Sequence, residues 1–128
     1  MARVLVVDDD PLAARQVAEV VGEEMVHAVE VVTSAAAART AAAAADNRFD
    51  AAVLGFRLGG VADAGELTAA LRAHQPYLAV IVTTAAADDD GMQRARGVFG
   101  VLHHVARPVT AGELLPRLAS AQIGRAHV

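Results

Sequence analysis

Val4-Leu5-Val6-Val7-Asp8-Asp9-Asp10-Pro11 opens on leucine and β-branched residues and closes on three carboxylates and a proline. The apolar run is too short for a helix and reads as a strand buried on both faces of a sheet. Pro11 then opens a helix at the position where its missing N–H costs nothing. Leu12, Val17, Val20 and Val21 supply that helix's apolar side.

The same alternation continues outward. Val26–Val32 reads as a second strand, and Ser34 as the N-cap of an alanine-rich helix reaching about Ala45. Ala51–Leu54 is a third strand, Gly59-Gly60 a turn, and Glu66–Ala73 a helix stopped before Pro76. Leu78–Val82 is a fourth strand of buried type. A polar stretch from Asp88 leads into a helix ended by Gly97 or Gly100, and Val101–Val105 is a fifth strand. Thr110-Ala111-Gly112-Glu113 forms a capping box for a last helix. Pro116, about six residues into that helix, predicts a kink or a late start. Strands alternating with helices imply an α/β fold: a doubly wound, five-stranded parallel sheet with right-handed crossovers.

With 128 residues the chain suits one domain, expected over 1–121, with 122–128 a frayed helix end, a stub of a longer protein or vector residues. Hydrophobic residues make up 55% and aromatics 3%, so Ala, Val and Leu must build the core. The absence of cysteine excludes disulfides and thiolate metal sites. All 11 basic residues are arginine, so one Arg-for-Lys exchange carries less meaning here than elsewhere. A net charge of -4 gives no basic footprint for direct nucleic-acid binding. No apolar run approaches the roughly 20 residues that cross a bilayer, and Met1 leads into a strand rather than a signal-peptide pattern. The expected location is cytoplasmic.

In an open α/β sheet, ligands gather at the carboxyl ends of the strands. Those ends carry Asp8-Asp9-Asp10, Gly55, Thr83-Thr84 and Arg107-Pro108. Adjacent carboxylates repel one another and suit a hard divalent cation such as Mg²⁺; the competing reading is that one of the three caps the helix that Pro11 opens.

Four stretches in order, Val4–Pro11, Asp50–Leu54, Val80–Ala85 and Gly100–Pro108, make the chain resemble the receiver domain of two-component response regulators over essentially its whole length. The resemblance implies the CheY-like, flavodoxin-type (βα)5 fold of strand order 2-1-3-4-5, in which a histidine kinase's phosphoryl group passes to an aspartate ending the third strand. It assigns Asp8 and Asp9 to the acidic pair that holds Mg²⁺. Thr84 matches the hydroxyl that meets the phosphoryl group, and His104 the switch aromatic. Arg107 stands where the family carries a lysine, followed by its cis-proline partner, Pro108. Gly55 occupies the phosphoacceptor position.

Phosphoryl transfer needs a carboxylate oxygen in line with the donor, and glycine offers none. Asp50 lies five residues upstream on the same strand, roughly 16 Å away at the wrong end of the sheet. Asp63 reaches the site only by rearrangement, and Asp88–Asp90 read as solvated turn and helix-start charges. Arg57 is a candidate plug: its guanidinium either folds back onto Asp8 and Asp9 or points into solvent. Losing one carboxylate leaves Mg²⁺ absent or weak at Asp8 and Asp9, whose survival is explained if they now pair with Arg57 or Arg107.

The expectation is therefore a pseudo-receiver: a non-enzymatic, phosphorylation-independent signalling module acting through protein contacts. The resemblance puts its partner or homodimer surface on the fourth helix, fifth strand and fifth helix, including Met92, Arg94, Arg96, Val101, His103 and part of Thr110–Ala121. An output domain after residue 128 is a further expectation. The alternative is a sensor holding a small anion or other ligand in the space beside Gly55, near Arg57 and Arg107. A small hydrolase lacks a nucleophile elbow. His103 and His104 fall on opposite strand faces and do not jointly chelate a metal. His104 reads either as a proton-sensitive switch or as a partly buried neutral imidazole.

Overall fold

The computed structural model describes residues 3–25, 28–44, 48–59, 61–62, 64–85, 93 and 103–126. In chain order the elements are β1 (Arg3–Val7), α1 (Pro11–Met25), β2 (Ala28–Val32), α2 (Ala35–Ala43) and β3 (Ala51–Gly55). A short pair, β4 (Arg57–Leu58) and β5 (Val61–Ala62), precedes α3 (Ala64–His74). Then come β6 (Ala79–Thr84), β7 (His103–Ala106) and α4 (Ala111–Ala126).

Five strands form one parallel sheet in the order β2-β1-β3-β6-β7. Counted within that sheet alone, this is the order 2-1-3-4-5. The expected helix after Asp88, Asp63 and Asp88–Asp90 lie outside the described residues, as do Met92, Arg94, Arg96 and Val101. The antiparallel β4–β5 ribbon was not expected. Two-residue strands carry no periodicity, and only Gly59, at φ 63°, marks the turn between them.

Alternating residues divide the core into two layers. Leu5, Val7, Ala52, Leu54, Val80 and Val82 face α2 and α3, meeting Ala38, Ala42, Leu67 and Leu71. Val4, Val6, Val53, Ile81 and Val105 face the other way, onto Ala14, Val17 and Val21 of α1 and Leu114 and Leu118 of α4. With both faces covered, each central strand must be apolar throughout, which is why these runs lack polar alternation.

Helix ends follow local chemistry. Asp10 is the aspartate that caps α1, its Oδ1 accepting from the Leu12 amide at 3.0 Å. Ser34 caps α2 by accepting from the Ala37 amide at 3.0 Å. One expectation needs correction, and one of two alternatives is excluded. Leu12 is 63% exposed, because the buried stripe of α1 runs through Ala14, Val17 and Val21 instead. The last helix does not start late: α4 begins at Ala111 and carries Pro116 inside it. The Glu113 and Leu114 amides both reach the Thr110 carbonyl, at 3.2 and 3.0 Å, and fix the first turn before the proline arrives.

Candidate functional site

Parallel register brings the strand ends together. Val7 pairs with Leu54, Gly55 with Thr83, and Thr84 with Ala106, so Asp8, Gly55, Thr83 and Arg107 converge at one rim of the sheet. Asp8 continues β1 by donating its amide to the Val32 carbonyl at 3.2 Å. The Arg107 amide donates to the Thr84 carbonyl at 2.8 Å, and the Arg107–Pro108 peptide bond is cis.

The Arg107 side chain crosses the rim. Its Nη2 donates to Asp8 Oδ2 at 2.7 Å, forming a charge-assisted bond with a carboxylate that is 3% exposed. Nη2 and Nε also approach the Thr83 hydroxyl, at 3.1 and 3.3 Å. Asp8 Oδ1 accepts from the Asp10 amide at 3.0 Å. Burial pushes the Asp8 carboxyl above its ordinary value, and the Asp9 and Asp10 charges push the same way. The Asp10 amide and Arg107 pull against that shift without cancelling it.

Gly55 lies directly under the guanidinium. A Cβ built on Gly55 would stand 2.9 Å from Arg107 Nη2, 3.6 Å from Asp8 Cγ and 3.6 Å from the Arg57 carbonyl oxygen. The backbone carbonyl of Arg57 therefore borders the site. Its guanidinium is exposed and lies 5.8 Å from the centre of the Phe56 ring. The arginine seated over Gly55 and on Asp8 is thus Arg107, carried by the far strand. Arg57 sits two residues past Gly55, at the start of β4, and its side chain is exposed.

Asp9 has another task. Its Oδ2 accepts the Gly59 amide at 2.8 Å and ties the β4–β5 turn to the end of β1. Thr84 is buried, yet it is Thr83 whose hydroxyl meets the guanidinium. Strand parity could have singled out Thr83, because it is paired with Gly55 and so shares its face. His104 is half-buried beside Val82 and His103 half-buried beside Ile81, on opposite faces of β7.

These residues do not fit a bound Mg²⁺ as arranged. One of the two carboxylates has an oxygen committed to a cationic guanidinium, the other accepts a backbone amide, and position 55 supplies no side-chain oxygen. Among the described residues no group of three or more His, Asp or Glu side chains could hold a metal. No described helix is long and apolar enough to cross a membrane.

The model of the response regulator receiver domain matches residues 4–119. A search of curated proteins finds no match. Several solved structures are similar in fold. A response regulator receiver domain protein from Clostridium thermocellum has a TM-score of 0.85 at 18% identity, covering 98% of each chain. The receiver domain of a sensor histidine kinase from Pseudomonas aeruginosa, with magnesium coordinated in its active-site cleft, has a TM-score of 0.76 at 23% identity, covering 93% of this chain and 95% of that one. A streptococcal protein, of a family described as redox sensors evolved from two-component response regulators, has a TM-score of 0.80 at 18% identity, covering 99% of this chain and 53% of that one.

Proposed function

The chain belongs to the response regulator receiver domain family, and from that membership we propose that it is a receiver working without phosphorylation, as a non-enzymatic module that signals through protein contacts. One observation carries this reading. The point from which an acceptor side chain would grow is bare at Gly55, and the space above it is taken by the Arg107 guanidinium at 2.9 Å. The catalytic demand of phosphoryl transfer is placement of an oxygen. Asp50, the carboxylate on the approach to β3, accepts the Arg3 amide at 2.9 Å at the opposite end of the sheet.

With no covalent trigger, control falls to binding: a partner changes the module only as far as it prefers one of the module's states over another. The surface proposed for that partner, or for a second copy, includes β7 and the outer side of α4. Incubation with Mg²⁺ and acetyl phosphate tests the reading by intact-protein mass spectrometry. No phosphoryl adduct is expected, and a stoichiometric adduct on Asp8 or Asp9 overturns it.

The anion-sensor alternative finds less support. The arginine charge beside Gly55 is already neutralised by Asp8, and the cleft bordered by Asp8, Gln16, Thr83 and Arg107 has a volume of only about 50 Å³. That is little more than the space of one or two waters. The streptococcal family is described as having moved from response regulator to sensor on this scaffold. This chain has no cysteine, so it has no thiol through which to sense redox state.

A further inference from the structure

Several polar atoms at the rim are matched to one another. Asp8 Oδ2 takes Arg107 Nη2 at 2.7 Å, and Asp8 Oδ1 takes the Asp10 amide at 3.0 Å. Asp9 Oδ2 takes the Gly59 amide at 2.8 Å, and the Thr83 hydroxyl takes Nη2 at 3.1 Å. The distance of 2.9 Å from Nη2 to a Cβ on Gly55 is shorter than real Cβ contacts allow. A side chain at position 55 would therefore make the flexible end of Arg107 shift from its present seat.

We propose that Gly55 and Arg107 form a single device, in which the guanidinium is the resident cation of the acidic pocket, tethered to Asp8 and Thr83, and glycine leaves room for its present seat. The proposal rests on the receiver reading above and goes further. It holds that the pocket is closed to divalent cations by Arg107, so returning a carboxylate to position 55 does not by itself restore metal-dependent phosphorylation. The physical ground is direct. Mg²⁺ demands a near-octahedral set of oxygens at about 2.0–2.1 Å, whereas here a fixed positive charge is hydrogen-bonded to the buried oxygen that would begin the set. A carboxylate added at position 55 would meet the same guanidinium and be drawn into a forked pair with it. Lysine in place of arginine keeps the charge. It presents one compact ammonium on a flexible stem, which can withdraw from Asp8.

The test uses the full chain and three variants, G55D, R107K and G55D/R107K, each checked for folding by circular dichroism. Mg²⁺ binding is measured by calorimetric titration, and phosphorylation by intact mass after incubation with acetyl phosphate. In the reaction sought, an introduced carboxylate oxygen attacks phosphorus, the P–O bond to the acetyl group breaks, acetate leaves, and an acyl phosphate remains. The double variant is expected to bind Mg²⁺ about tenfold or more tightly than either the unaltered chain or G55D, the factor carried by one charge-assisted contact. It alone is expected to gain the mass of one phosphoryl group. The proposal is overturned if G55D binds Mg²⁺ and takes the phosphoryl group as well as the double variant does. It is equally overturned if the folded double variant fails at both, or if the unaltered chain binds Mg²⁺ as tightly as the double variant. None of these results touches the receiver reading, which fails only if the unaltered chain itself is phosphorylated.

Discussion

Replacing Arg107 by alanine would strand the Asp8 carboxylate, which is 3% exposed, with the Asp10 amide as its remaining partner among the described residues. Loss of one partner from a buried, hydrogen-bonded pair is costly, and the partly exposed arginine moderates the figure. We expect R107A to unfold more easily at neutral pH by about 1–3 kcal/mol, read from urea denaturation. A pH effect follows at the same residue. The folded Asp8 carboxyl is raised above the ordinary value of 3.8, so the folded chain holds this proton more tightly than the unfolded chain does. Its contribution to stability is fully present below that value and is lost as pH rises through the higher, folded value. D8N, which cannot ionise, is expected to abolish that part of the slope in denaturation midpoints measured across the acid range. The residue scale was also the least legible from sequence. Asp8, Gly55 and Arg107 could each be placed at a strand end by counting, but nothing in the spacing says whether Arg107 or Arg57 reaches the carboxylate. That choice depends on which side chain lies over the pocket once five strands are in register. Thr83 was missed for a related reason: the resemblance was matched at Thr84, and only the pairing of Gly55 with Thr83 shows which hydroxyl shares the face.

Elements were read more easily, because their signals are local. Ser34 was recognisable as a cap from its place before an alanine tract, and S34A is expected to cost about 1 kcal/mol in thermal or chemical unfolding. Pro116 illustrates a limit. Proline chemistry alone suggests that a helix should begin after it or bend, yet α4 runs from Ala111 to Ala126 through it. Burial of Leu114 and Leu118 on either side holds the helix to the sheet. The Arg117 guanidinium donates to the Glu113 carbonyl at 2.6 Å in the turn that the proline interrupts. P116A should therefore return a backbone donor without disturbing packing, and a gain of about 1 kcal/mol or more is expected, measured as a raised melting temperature. The β4–β5 ribbon stayed hidden because two-residue strands have no pattern to read. Its anchor is the contact from Gly59 to Asp9, between residues 50 positions apart.

The whole molecule is a sheet with an aliphatic layer on each side, and this was legible from the uninterrupted apolar runs alone. Runs such as Val4–Val7 and Leu78–Val82 make sense only when both faces are covered, and the fold class followed from their alternation with helices. Leu5 and Leu114 belong to opposite layers. L5A and L114A are each expected to lose about 2–5 kcal/mol, and to add closely when combined, since they share no partner across the sheet. A double-mutant cycle by denaturant unfolding checks this, and a coupling above about 1 kcal/mol would contradict separate layers.

The far pole of the sheet is fastened differently from the rim that carries Arg107. There the Gln75 side chain accepts the Phe49 amide at 2.7 Å and donates to the Ala42 carbonyl at 3.1 Å, a neutral clasp across the ends of α2, β3 and α3. One pole is thus latched by charge and the other by an uncharged amide that acidity does not alter. Hydrogen exchange at the Phe49 amide would follow the breathing of that lower clasp by itself, leaving a spectroscopic witness that stays quiet while the carboxylate of the ionic latch above it titrates.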